Sequence, residues 1–133
     1  MIVVDTNILV RYAVKDDRRQ TIAATEFLRK NSALILKTVL LELVWVLSSA
    51  SGYNLERAVV VERLHHVCGL PTITVEDASD VKQAIDWFER GMDFADALHL
   101  ASSTPHEAFA TMDKRLISKA ARLADTAKVL FVA

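Results

Sequence analysis

The sequence predicts an α/β fold in which a parallel sheet is covered by helices on both faces. Three observations predict it. Short, continuously apolar, β-branched runs recur along the chain; longer stretches of helical periodicity separate them; and residues with helix-capping chemistry stand at the junctions. The chain has 133 residues, a length that suits one domain of roughly 100–150 residues. Hydrophobic residues make up 52% and charged residues 25%, which excludes a disordered chain.

Ile2-Val3-Val4 reads as a buried strand ending at Asp5. Asp5-Thr6-Asn7 supplies N-cap chemistry for a short helix over Ile8 to Val14. Asp16-Asp17 starts a second helix with Ile22, Ala23, Phe27 and Leu28 on one face. Ala33 to Leu36 is the second strand, and Thr38 opens an apolar helix that Ser51-Gly52 closes. Asn54 caps a helix that turns Val59, Val60, Leu64 and Val67 inward. Thr72 to Val75 is the third strand. Asp77 or Ser79 caps the next helix, which carries Val81, Ala84, Ile85 and Phe88 and stops at Gly91. Phe94 to Ser102 is a helix of small residues, Ala108 to Thr111 a strand, Lys114 to Leu123 a helix, and Val129 to Val132 a last strand. Ligands of such sheets bind beyond the carboxyl ends of the strands.

Composition closes several routes to function. Gly52, Gly69 and Gly91 form neither G-x-G-x-x-G nor G-x-x-x-x-G-K-[ST]. Cys68 stands alone, so an internal disulfide and a cysteine zinc site are excluded, and a reducing compartment is expected. No targeting segment or membrane span is expected, and the cytoplasm is the default location. His65-His66 point to different sides of a helix and make no metal pair. His99 reads as a partly buried packing histidine. Trp45, Trp87, Met92 and Met112 read as core, and Ser102-Ser103-Thr104 as a helix end without a nucleophile elbow.

Of the 17 acids, Glu26, Glu56, Glu62, Asp86, Glu89 and Asp125 lie among polar neighbours on solvated helix faces. Asp5, Glu42, Asp93, Asp96 and Asp113 lie in apolar surroundings, where ionised carboxylates are costly unless paired or metal-bound. Asp5 and Asp113 follow strand ends; Glu42 stands one turn after Thr38; Asp93 and Asp96 share the start of a helix. All five are expected to face one crevice at the same sheet edge. Gathered acids repel one another, and a divalent cation relieves that repulsion. An all-oxygen set favours Mg²⁺ or Mn²⁺ over Zn²⁺. Each acid also has a plainer role: Asp5 and Asp113 as N-caps, Asp96 as a first-turn acid favoured by the helix dipole, Glu42 in a buried ion pair or on a wet stripe.

Four islands resemble the PIN-domain family, and within it the VapC-type toxin ribonucleases. They are Val4-Asp5-Thr6-Asn7-Ile8-Leu9-Val10; Thr38 through Leu41-Glu42-Leu43; Gly91-Met92-Asp93-Phe94-Ala95-Asp96-Ala97-Leu98; and Ala110-Thr111-Met112-Asp113-Lys114-Arg115-Leu116. The resemblance implies a single three-layer α/β/α, Rossmannoid domain over residues 1–133, with a central parallel sheet of about five strands. It implies that Asp5, Glu42, Asp96 and Asp113 are the catalytic acids holding Mg²⁺ or Mn²⁺, with Asp93 an accessory ligand. Asn7, Thr38 and Thr111 become polar supports, and Arg11, Lys15, Lys114 and Arg115 candidate contacts to RNA, with Arg18 and Arg19 nearby. The implied function is hydrolysis of RNA phosphodiester bonds by metal-activated water. The implied partners are a second copy of the chain and a VapB-like antitoxin, for which Ile8, Val10, Phe27, Leu28, Val44 and Leu47 offer either a docking groove or ordinary core.

Other readings stay open at this level. A PIN nuclease acting on DNA, or in RNA processing, is the nearest. A Mg²⁺-dependent phosphotransfer protein fits less well, because Asp5-Thr6-Asn7 is not Asp-x-Asp and Lys128 precedes the last strand. A non-catalytic binding module is the third. The net charge of -1 excludes none of these: setting the five acids aside leaves +4 on the remaining surface.

Overall fold

β-branched Ile2 and Val3 form strand β1 (Ile2–Val3), the first of five strands among the described residues. The structure is a computed structural model that describes residues 1–123 and 126–133; Asp125 lies outside the described residues. Helix α1 (Thr6–Val14), helix α2 (Arg18–Lys30), strand β2 (Ala33–Ile35), helix α3 (Lys37–Ser48), helix α4 (Arg57–Cys68) and strand β3 (Ile73–Val75) follow. Helix α5 (Ala78–Glu89), helix α6 (Phe94–Ser102), strand β4 (Phe109–Thr111), helix α7 (Lys114–Ala120) and strand β5 (Val129–Phe131) complete the order. The expected α/β class is borne out: helices alternate with strands and every strand pair is parallel.

The chain divides into two compact units, Met1–Ala78 and Ser79–Ala133. In the first, the strand order is β1-β2-β3, with Ile2 opposite Ala33 and Leu34 opposite Thr74. Helix α1 packs on α2, α3 and α4. Leu9, Leu28, Ile35, Leu40, Leu47, Leu64 and Val67 fill its core. Asp17 caps α2 through Gln20 N at 2.9 Å. The turn after α3 needs Gly52, because a Cβ there would stand 2.1 Å from the Val46 carbonyl oxygen.

In the second unit, β4 pairs with β5, with Ala110 opposite Leu130, and α7 packs on both strands. Trp87, Phe88, Phe94, Leu98 and Leu116 form its core. The Phe88 and Phe94 rings meet edge to face at 5.6 Å. Gly91, at φ +112°, reverses the chain between α5 and α6, a conformation that strains any L side chain.

Several expectations need correction. Among the described residues the five strands form a three-stranded and a two-stranded ladder, where one sheet was expected. Ile2 and Val3 are exposed rather than buried, as the outer strand of their ladder. Ile22 and Ala23 are exposed, because Ala24 and Leu28 make the buried stripe of α2. Asn54 does not cap α4: it adopts φ 51° in the preceding loop, and Glu56 is the N-cap without a side-chain bond. The Asp77 carboxylate pairs with Lys37 Nζ at 2.8 Å. Trp45 and Met112 are exposed, not core. Val10, Leu28, Val44 and Leu47 are buried, so they offer no docking groove. Ile8 and Phe27, by contrast, line a cavity of about 410 Å³ between α1 and α2. Among the described residues no helix is long and apolar enough to cross a membrane.

Candidate active site

The acids of the first unit stand on two packed helices. Asp5 is the N-cap of α1, and its carboxylate accepts from Thr6 N at 2.7 Å. Thr6 is only 5% exposed, and its hydroxyl donates to Glu42 Oε1 on α3 in a short hydrogen bond. One residue therefore ties both acids: its N–H holds Asp5 and its Oγ1 holds Glu42. Glu42 itself is exposed, so the wet-stripe alternative describes it and the apolar surroundings do not. The apolar neighbours in sequence, Leu40, Leu43, Val44 and Leu47, point into the core from the other side of α3. Thr38 and Trp45, at i-4 and i+3 from Glu42, share its exposed face, and Trp45 is 62% exposed.

The second unit gathers three acids. Asp93 is the N-cap of α6 and accepts from Asp96 N at 3.1 Å. Asp96 occupies the first turn of that helix. Asp113 is the N-cap of α7 and accepts from Arg115 N at 2.8 Å. Its own N–H donates to Thr111 Oγ1 at 3.1 Å, so Thr111 supports Asp113 as a polar neighbour. Partial burial pushes the Asp96 carboxyl above the usual carboxylate range, and the charges of Asp93 and Asp113 add to that rise; His99 and Lys119 counter it. Asp96 thus senses the charges of Asp93 and Asp113 through space. His99 is exposed rather than partly buried, with its ring stacked on Phe109 at 6.5 Å.

Hard oxygen donors under mutual repulsion suit a divalent cation such as Mg²⁺ or Mn²⁺. That donor chemistry fits, although among the described residues no three acid, histidine or cysteine side chains are close enough to form a ready ligand group. Asn7 is exposed and lines the cavity between α1 and α2, with Thr6 rather than Asn7 bonded to an acid. Sequence reasoning treated Thr6 only as capping chemistry. A threonine between a strand-ending aspartate and a helix was the available signal, but its partner lies 36 positions away.

The basic residues are differently engaged. Arg11 pairs with Asp16 at 3.1 Å and donates to Tyr53 Oη at 3.3 Å, so its guanidinium is held within the unit. Lys15, in the left-handed conformation that ends α1, lies over the Tyr12 ring at 4.9 Å. Lys114 lies over Phe131 at 5.7 Å, and Arg115 reaches Asp113 at 3.7 Å.

The family model for the PIN domain matches residues 2–123, so a single match runs through both units. No curated protein and no solved structure matches the chain.

Proposed function

The chain belongs to the PIN domain family, a family of nucleases that generally depend on divalent metal, and on that premise we propose that it is a metal-dependent endoribonuclease of the VapC toxin type. The observation that carries the reading is the placement of acids at helix starts: Asp5, Asp93 and Asp113 cap α1, α6 and α7, and Asp96 stands in the first turn of α6, where burial, with the charges of Asp93 and Asp113, raises its carboxyl in a way a cation would relieve. We assign Asp5, Glu42, Asp96 and Asp113 as the acids that hold Mg²⁺ or Mn²⁺, with Asp93 as accessory. A cation so held would supply an activated water and neutralise charge on the phosphate oxygens.

The protein's own groups supply the positioning. Thr6 holds Glu42 through its hydroxyl and Asp5 through its N–H, and Thr111 braces the backbone of Asp113. Such outer contacts typically alter metal affinity about 10–100-fold when removed. Neither serine, cysteine nor histidine acts as nucleophile in this reading: water attacks phosphorus, the bond to the 3′ oxygen breaks, and the products are a 5′-phosphate and a 3′-hydroxyl. A VapB-like antitoxin and a second copy of the chain are the proposed protein partners. For the antitoxin, the cavity lined by Ile8 and Phe27 is the apolar surface that remains from the wider groove expected.

The test is cleavage of a panel of total RNA, defined single-stranded RNA and DNA, with Mg²⁺, Mn²⁺ or EDTA. Metal-dependent RNA cleavage that Asp5→Asn and Asp96→Asn each abolish is the expected result. Cleavage that persists in EDTA, or at wild-type rate in both variants, refutes the reading. Cleavage of DNA in preference to RNA moves the protein to another nuclease role within the family.

A further inference from the structure

We propose that a cationic cleft in the second unit, formed by Arg90, Lys119 and Arg122, binds the phosphate backbone of single-stranded RNA. The cleft has a volume of about 390 Å³, and Trp87 and Met92 contribute to its lining. Its three cations come from two separate places in the chain. Arg90 directly follows α5, while Lys119 lies in the last turn of α7 and Arg122 two residues beyond its end. None belongs to the basic residues that the sequence singled out.

The arrangement is more than a charged helix end. A helix dipole favours Lys119 near the carboxyl terminus of α7, but it does not explain where the side chain goes. Lys119 Nζ donates to the Gly91 carbonyl at 2.9 Å, which fixes the ammonium at the turn leading to Asp93. The space beside Gly91 is open: a Cβ there would meet no atom within 4 Å. Arg90 is only loosely held by Asp86 at 3.6 Å, with both side chains more than half exposed. The Arg122 guanidinium has no hydrogen-bond or ion-pair partner among the described residues. Asp86 is thus the one carboxylate paired with these three cations among the described residues.

Position selects the ligand. Lys119 Nζ is anchored on the Gly91 carbonyl, two residues before the Asp93 N-cap of α6, so the cleft adjoins the start of the helix that carries Asp93 and Asp96. A strand whose scissile phosphate is held at those acids would run on past the Gly91 turn, where the cations offer charge to its neighbouring phosphates. The cleft is the size of a small-ligand pocket, with room for one or two nucleotide units and not for a duplex. Cations drawn from two places in the chain, with Lys119 alone anchored, suit successive phosphates of a strand, rather than one free phosphate ion encircled by all three.

The choice of RNA as ligand rests on the nuclease reading, so the experiment measures binding apart from cleavage. A labelled single-stranded RNA 12-mer is titrated with the full chain in EDTA across a range of salt. The comparison is between wild type, Arg90→Gln/Lys119→Gln/Arg122→Gln, the single Arg122→Gln, and Lys82→Gln as a surface charge control on α5. Thermal midpoints confirm that each variant is folded. The triple variant is expected to bind at least about tenfold more weakly. Its slope of log affinity against log salt should flatten by about 2, near 0.7 for each lost phosphate contact on a single strand. Arg122→Gln should show a fraction of that change, and Lys82→Gln none.

Wild-type affinity and slope in the triple variant overturn the proposal. So does tighter binding of duplex DNA of equal length, or complete displacement of the RNA by inorganic phosphate at constant ionic strength. The two readings fail separately. Loss of binding in the triple variant of a protein that cleaves nothing removes the nuclease reading and keeps the cleft. Unchanged binding and KM in a triple variant that cleaves RNA removes the cleft and keeps the nuclease.

Discussion

Replacing Thr6 with valine isolates the contact that joins α1 to α3. The hydroxyl donates to Glu42 Oε1, Thr6 is buried, and valine keeps its branched shape, so no cavity opens. A hydrogen bond to a charged acceptor contributes about 1.5–3 kcal/mol net. Glu42 is exposed, so water re-solvates the carboxylate once the donor is gone, and the lower end applies. Thr6→Val is therefore expected to destabilise the protein by about 1.5 kcal/mol. For a chain of this size that corresponds to a fall in Tm of about 6 °C, at roughly 4 °C per kcal/mol. The assay is thermal and urea unfolding of wild type, Thr6→Val, Glu42→Ala and the double variant. Because the two groups are in contact, the cycle should return a coupling of about 1 kcal/mol. Additivity within about 0.3 kcal/mol, or a Thr6→Val protein as stable as wild type, refutes the assignment of Thr6 as the residue that positions Glu42. Mn²⁺ affinity should fall about 10–100-fold in the same variant.

Asp96 sets a pH dependence of opposite sign to the usual carboxylate. Its folded pKa is raised, so the folded state holds that proton more tightly than the unfolded chain does. This contribution favours the metal-free fold while Asp96 is protonated and is lost as pH rises from the usual carboxylate value through the folded one. Asp96→Asn should therefore raise Tm of metal-free protein at neutral pH and flatten its pH profile. Conversely, Mn²⁺ at 100 times its Kd should add about 2.7 kcal/mol to the wild type and nothing to Asp96→Asn, read by calorimetry with and without EDTA. Trp45→Ala should change stability by less than about 0.5 kcal/mol, whereas Trp87→Ala, at a side chain 1% exposed, should cost about 3–5 kcal/mol in urea unfolding. Burial pushes the Cys68 thiol up to about 11, so it should react with a thiol reagent at pH 8 only when the protein is unfolded.

The order of strands and helices was legible because periodicity and capping are local properties. Asp5, Asp93 and Asp113 each end a strand or turn and begin a helix, and each caps that helix. Glu42 shows where local reading stops. Its flanks are apolar in sequence, yet a helix turns Leu40, Leu43, Val44 and Leu47 to one side and Thr38, Glu42 and Trp45 to the other. The same rotation exposes Trp45, which its apolar neighbours had suggested was core. Arg11 shows a second kind of limit, because its partner Tyr53 lies 42 positions away and no local pattern announces that bond.

By itself, then, the sequence determined the α/β class, the alternation of elements and the acids at the helix starts. Those follow from side-chain period, backbone propensity and capping, which act over a few residues. Only the tertiary structure decided that Thr6 serves Asp5 and Glu42 together, that Asp96 feels Asp93 and Asp113, and that Arg90 joins Lys119 and Arg122 around one cleft. Charge and hydrogen bonding depend on distance through space, and chain separation carries no record of that distance until the elements pack.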